Sequence, residues 1–189
     1  MNGVNESPRT SRAEQRRGTE RRILEAARRS FAELGYERTT IRAVAEAAGV
    51  NGGLVMHYFG SKEELFSQAA RLPPDELPAG TPDEVADALL DLLRGRLVDE
   101  PVASLAVLRS MLTHADAAED FREAAVRRLD QLTAVIPAPD ADLRAGVLNA
   151  IIHGVLVERY LLRLGRLADA SPDEVIDVLR PCFRALTGC

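Results

Sequence analysis

The side chains of this chain that could do chemistry are suited to holding phosphate and not to breaking bonds. Between residues 9 and 30 stand eight arginines (Arg9, Arg12, Arg16, Arg17, Arg21, Arg22, Arg28 and Arg29) against three glutamates, Glu14, Glu20 and Glu25. Further along, Thr39 and Thr40 offer adjacent hydroxyls, and Gly52 and Gly53 offer backbone amides with no side chain in the way. Lys62 is the only lysine in the sequence. Catalytic parts are missing: His57, His114 and His153 lie far apart, and no nucleophile elbow or strand-borne phosphate loop is present, which argues against an enzyme. Cys182 and Cys189 have no metal-ligand spacing, so no metal and no cofactor are expected. The net charge of −5 conceals an asymmetry: residues 1–64 carry 11 basic and 9 acidic side chains, residues 65–189 carry 13 and 20. A basic front on an acidic chain is an electrostatic footprint for phosphate, and the alternative is a solvated tail.

The elements that must position these groups read as helices throughout. Ile23, Ala26, Ala27, Phe31 and Leu34 recur at three- and four-residue steps, predicting a first helix from Thr19 that Gly35 stops. Thr39 is placed to cap a short helix through Ile41, Val44, Ala45 and Ala48, after which Gly49 turns the chain. Asn51 caps a third helix through Leu54, Val55, Tyr58 and Phe59, with Phe59 in the core; Ser61 opens a fourth, with Glu64 placed for a reciprocal capping box. Residues 73–82, rich in proline, read as a linker. Beyond it, the runs Thr81-Pro82-Asp83-Glu84 and Ser171-Pro172-Asp173-Glu174 each combine a capping hydroxyl, a proline and acids for the helix dipole. Helices are predicted near 82–98, 101–115, 117–136, 140–165 and 172–187, and residues 1–17 as a disordered basic arm. No apolar run approaches the roughly 18 to 20 residues that cross a bilayer and no secretory leader is evident, so a soluble cytoplasmic protein without a membrane partner is expected.

Two short helices joined at Gly49, with Ala45, Val50 and Val55 to pack them and small Ala43, Ala47 and Ala48 to let them cross closely, describe a helix-turn-helix. Two glycines at the front of the second helix cost roughly 1 kcal/mol each in helix propensity, a disadvantage that close backbone approach to DNA would explain. The order Phe-Ala-Glu-Leu-Gly-Tyr, Thr-Thr, Ala-Glu-Ala-Ala-Gly-Val, His-Tyr-Phe, Gly-Ser-Lys-Glu-Glu-Leu between Gly18 and Phe66 resembles the DNA-binding domain of TetR/AcrR-type regulators. The resemblance implies an all-α protein with a helix-turn-helix domain at 18–66 and a ligand-binding and dimerisation domain at 67–189. Carried over, it implies that Thr40 and Lys62 bond phosphates, that Asn51, Gly52, Gly53 and Leu54 face the major groove, and that Met56, His57 and Tyr58 continue that face or its edge. Met56 departs from the family, where a tyrosine touching the backbone is usual, and so does Gly53-Leu54, where small or hydroxyl residues are frequent. Arg12, Arg16 and Arg17 in the basic arm would offset these lost contacts by reaching the flanking minor groove or backbone.

Behind this domain, Gly146, Ala150 and Gly154 form a strip of small residues on an apolar segment that also carries Ile151 and Val155. With Val178 and Phe183 on the last helix they are the expected interface of a homodimer, the alternative being an intramolecular core. A dimer would read a palindromic double-stranded operator. Leu108, Met111 and Phe121, with Leu105, Leu112 and Leu132, offer an aliphatic lining for a small lipophilic effector, with His114, His153, Arg109 and Tyr160 as polar anchors. The expected function is that of a ligand-responsive transcriptional repressor. Its rivals are an activator using the same motif and a helical protein-interaction module that has lost DNA binding. The arginine- and alanine-rich composition points to a high-GC bacterial genome.

Overall fold

The computed structural model describes residues 12–71, 80–111 and 114–188, leaving out the side chains of 115–118, 120, 121, 123 and 124. Among the described residues the regular structure is entirely helical: α1 (Arg12–Arg38), α2 (Ile41–Ala48), α3 (Gly52–Phe59), α4 (Lys62–Ala70), α5 (Pro82–Val98), α6 (Val102–Ser110), α7 (Ala115–Val135), α8 (Ala141–Leu156), a π-helical continuation (Val157–Leu162), α9 (Gly165–Asp169) and α10 (Pro172–Thr187). The capping signals act as their chemistry dictates. The hydroxyls of Thr81 and Ser171 accept from the amides of Glu84 and Glu174, whose carboxylates accept in return from the cap amides at 2.8 Å each. At α4 only half of the box forms, because Glu64 turns to accept from Gln68 at 2.8 Å while Ser61 still caps its amide.

Four expectations need correction. Helix α1 begins at Arg12, so residues 12–17 are helical and not a disordered arm; Arg, Ala, Glu and Gln are all strong helix formers and extend the helix without an apolar face. The rest of that arm lies outside the described residues. Gly35, at φ 77°, breaks the helix as expected, yet a helical turn continues to Arg38. Thr40, not Thr39, caps α2: its hydroxyl accepts from Ala43 N–H at 3.1 Å, while the buried Thr39 hydroxyl donates back to Gly35 O at 2.8 Å. The predicted helix 140–165 ends early. Arg163 enters the left-handed region (φ 52°), and Arg159 bonds the carbonyls of Leu167 and Ala170, folding the chain back on itself.

Two apolar clusters organise the chain. The first gathers Ile23, Ala27, Phe31, Tyr36, Val44, Val55, Phe59, Leu65 and Phe66 from α1–α4, closed by Leu105, Ala106 and Val107 of α6. The second joins Leu89, Leu93, Leu132, Leu148, Ile152, Leu156, Ile176 and Phe183 from α5, α7, α8 and α10. Helix α6 is shared, since Leu108 belongs to the second cluster. Ion pairs of Arg180 and Arg184 with Asp87 and Asp83, and of Arg94 with Asp173, fasten α10 along α5. The segment Ala141–Leu162 is, at 22 residues, long and apolar enough by length and composition alone to cross a bilayer, a test that core helices of folded domains also pass. In the fold one face of it is core, through Ala145, Leu148, Ile152 and Leu156, and the other carries exposed Leu143 and Val147.

Candidate nucleic-acid interface

Helix α3 stands on α2 through buried Ala45 and Val55, and the half-buried Val50 donates its amide to Ala45 O at 2.9 Å. Gly49 makes the turn in the left-handed conformation (φ 65°, ψ 39°), which glycine adopts without a Cβ penalty. Asn51 caps α3 by accepting from Leu54 N–H at 2.8 Å. Between the two helices opens a groove of about 540 Å³ lined by Ile41, Arg42, Glu46, Gly52, Gly53 and Met56. A Cβ on Gly52 would meet only Ile41 Cγ2, at 3.9 Å, so packing within the chain does not demand glycine there. Thr40, Asn51, Gly53, Met56 and His57 are exposed, Met56 by 43%; Gly52, Leu54, Tyr58 and Lys62 are half-buried. Phe59 is in the core, as its periodicity implied.

Sequence reasoning missed how three of these residues are held. The Arg16 guanidinium lies 5.6 Å from the Tyr58 ring centroid, so the start of α1 reaches the recognition helix; Arg17 is exposed beside it. The Lys62 ammonium sits 4.3 Å from the centroid of the Tyr36 ring and reaches Glu37 O at 3.4 Å. Tyr36 donates its hydroxyl to Glu63 at 2.8 Å; that carboxyl is held below its ordinary range by its own backbone amide first, then by the Tyr36 and Ser61 hydroxyls.

Residues 23–69 match the family described as bacterial regulatory proteins, tetR family, and residues 80–186 match the tetracyclin repressor-like C-terminal domain. The second match alone covers more than half of the chain. The chain belongs to the tetR family. Among curated relatives, the transcriptional repressor AcnR of Corynebacterium efficiens is 45% identical over 78 residues, 41% of this chain and 39% of its own. The regulator BetI of Stenotrophomonas maltophilia is 28% identical over 74% of this chain and 80% of its own. The chain thus spans about two fifths of the length of the first of these relatives. Among solved structures, NalD, the secondary repressor of the MexAB-OprM multidrug efflux pump in Pseudomonas aeruginosa, aligns with a TM-score of 0.71 at 25% identity, over 90% of this chain and 96% of its own. A tetR-family regulator from Streptomyces coelicolor aligns with a TM-score of 0.54 at 29% identity, over 97% and 100%.

In this tetR-family chain the residues expected to line an effector site are dispersed. Leu108 is fully packed and Met111 is half-buried, both against the second cluster; Phe121 lies outside the described side chains. His114 is turned away from the sensor core and stacks on Tyr36, because a flat ring on a flat ring buries both faces. Arg109 bonds Glu33 O at 3.0 Å across to α1, and its buried Nε has no hydrogen-bond partner. Tyr160 donates to Arg96 O at 3.0 Å. His153 alone among the three histidines stays on α8, half-buried, where desolvation first, and then the charges of Arg128 and Arg96, push its pKa from 6.5 to about 4.

A pH dependence follows. The unfolded chain binds a proton on His153 near pH 6.5 and the folded chain only near pH 4, so stability is full above 6.5 and falls as pH drops towards 4. The loss amounts to about 3 kcal/mol. Urea unfolding followed across that window should show it, and His153→Gln should flatten the slope; an unchanged slope in the variant would assign the pH effect to other groups.

Among the expected dimer residues, Ala150, Gly154 and Val178 are exposed, and Gly146 and Ile151 are half-buried. Val155 and Phe183 are corrected: both are buried in the protomer's own second cluster, the intramolecular alternative.

Proposed function

We propose that this protein is a transcriptional repressor that binds a palindromic DNA operator as a homodimer in the bacterial cytoplasm and releases it when a small effector enters the sensor domain. The observation that carries the reading is the α2–α3 pair, whose second helix presents a front edge free of side chains at Gly52 and Gly53; a Cβ on Gly52 would meet only Ile41 Cγ2, at 3.9 Å, so packing does not demand that glycine, whereas one on Gly53 would crowd the capping Asn51 Oδ1 at 3.3 Å. Such an edge lets backbone approach base edges or phosphates. Thr40 and Lys62 flank it in sequence at the starts of α2 and α4; Thr40 accepts from Ala43 and keeps its own proton to donate to a phosphate oxygen. Arg16, held over Tyr58, adds a cation from α1. Two such units related by a twofold axis read half-sites about 34 to 36 Å apart. The effector acts by preferring a protomer arrangement with the wrong spacing, for which a coupling of roughly 1 to 3 kcal/mol suffices. The aliphatic side chains around Met111 favour a lipophilic body for it.

The test is selection of bound sequences from random duplex DNA, then affinity at several salt concentrations. One palindrome should be enriched, with a steep salt slope. Lys62→Ala should weaken binding to all sequences alike and reduce the slope by about 1 for each lysine lost. A folded dimer that enriches nothing would reassign the protein to protein–protein interaction.

A further inference from the structure

The segment between α6 and α7 touches the helix-turn-helix unit through a group of rings. We propose that His114 is a positioning residue for DNA binding: stacked against Tyr36, it holds the ring on which the Lys62 ammonium rests, so that the sensor side of the molecule fixes where this cation stands. The inference rests on Lys62 being a phosphate ligand.

The geometry is that of a three-layer sandwich. His114 and Tyr36 lie nearly parallel, 8° between planes and 3.6 Å between centroids. A ring so close and so well centred fills that face of Tyr36. Lys62 Nζ, 4.3 Å from the same centroid, therefore occupies the opposite face. Phe66 closes the edge, at 5.2 Å and 79° to Tyr36 and at 5.9 Å and 86° to His114. Tyr36 has little freedom to move: its amide donates to Ser110 Oγ of α6 at 3.1 Å and its hydroxyl to Glu63 of α4 at 2.8 Å. Beside it, Arg109 reaches from α6 to Glu33 O, with its Cγ 3.5 Å from where a Gly35 side chain would begin.

The chemistry favours this use of the sandwich. Lysine carries a point charge on four rotatable bonds, and fixing it on a phosphate sacrifices that freedom. An ammonium already parked on a π face has surrendered much of the freedom before DNA arrives, and the face is attractive only while the ring stays put. His114 immediately precedes α7, with its side chain not engaged in capping, and Ser110 ends α6, so the ring's backing comes from between two sensor helices. A shift of these helices loosens Tyr36, and with it Lys62, without touching any DNA-facing residue. Sequence reading placed His114 among effector anchors because it lies 78 positions from Tyr36 and nothing in the periodicity joins them.

Lys62 being the only lysine makes the test direct. In protein labelled at lysine, the ε-methylene gives a single NMR signal, displaced upfield by the Tyr36 ring. His114→Phe keeps a flat ring and should retain the displacement; His114→Leu fills the space without one, so it should fold yet return the signal to its solvent-exposed position. On the selected duplex, His114→Leu should lower the salt slope as Lys62→Ala does, and should change nothing further in the Lys62→Ala background. An undisplaced signal in the wild type, or a displacement unchanged in His114→Leu, overturns the positioning role, as does additivity of the two substitutions. A Lys62→Ala slope equal to the wild type instead overturns the phosphate reading and leaves the NMR result to report the packing alone.

Discussion

Val147→Glu is expected to give a monomer by sedimentation and to weaken operator binding by about 10² to 10⁴, the gain that tethering a second binding unit supplies. The side chain is 38% exposed on α8, between Leu143 at 68% and Ala150. These three share a face with Gly154, opposite the core face of Ala145, Leu148, Ile152 and Leu156. On α10, Val178, 79% exposed, shares an outward face with exposed Cys182 and Ala185. The cations of α10 cannot serve that face, because Arg180 and Arg184 are already turned to Asp87 and Asp83 of α5. A Cβ on Gly146 or Gly154 would meet nothing within 4 Å, so their smallness has no cause inside the protomer and suits close approach of another helix. In the free protomer a glutamate at 147 is solvated and costs little. In a twofold interface it buries two unpaired carboxylates at once, which is expensive. Val178→Glu should act likewise, whereas a control at exposed Asp142 should not. A Val147→Glu protein that stays dimeric with unaltered affinity would show that the dimer forms elsewhere.

Many elements of this fold are legible in local interactions. The capping hydroxyls of Thr81 and Ser171, the left-handed turn at Gly49 and the apolar stripe of α1 formed as read, except that Leu34 at the end of the stripe is exposed. The reading failed where several partners compete for one group: Glu64 turns to Gln68 and leaves the α4 box half formed. Thr39 and Thr40 are equally able to cap; Thr39 loses the role because the carbonyls of Gly35 and Ser30 on α1 take its proton. Phe183 and Val178 sit on the same helix, and only the position of α5 tells which one faces inward. The helix-turn-helix residues were found because the spacing of Thr40, Gly49, Asn51 and Lys62 is local, while the supports behind them, Arg16 on Tyr58 and His114 on Tyr36, cross elements and left no periodic trace. The effector site was least legible, since aliphatic side chains that line a pocket and those that fill a core are the same residues in sequence.

Phe31→Ala should destabilise the DNA-binding unit by about 3 to 5 kcal/mol, the range for removing a large core aromatic. Phe31 is fully buried and meets Phe66 edge-on at 4.9 Å between centroids, with Tyr36 beyond it at 6.0 Å. Its removal deletes apolar burial and an aromatic pair together, and leaves a void in the first cluster beside Phe66. For a unit of this size each kcal/mol moves the melting temperature by at least about 4 °C, so a drop of roughly 12 °C or more is expected. Because the second cluster is built from α5, α7, α8 and α10, the loss should be local: calorimetry should resolve an early transition from a later one, with the dimer persisting between them and DNA binding lost after the first. Helix α6 sets the limit on that separation. It gives Leu105, Ala106 and Val107 to one cluster and Leu108 to the other, so melting the first frays the second where Arg109 and Ser110 had tied it to α1. A single transition shifted as a whole would mean that α6 couples the two clusters into one cooperative unit. In that case an effector need not push a lever at all, since ordering the sensor core would by itself raise the order of the helices that meet DNA.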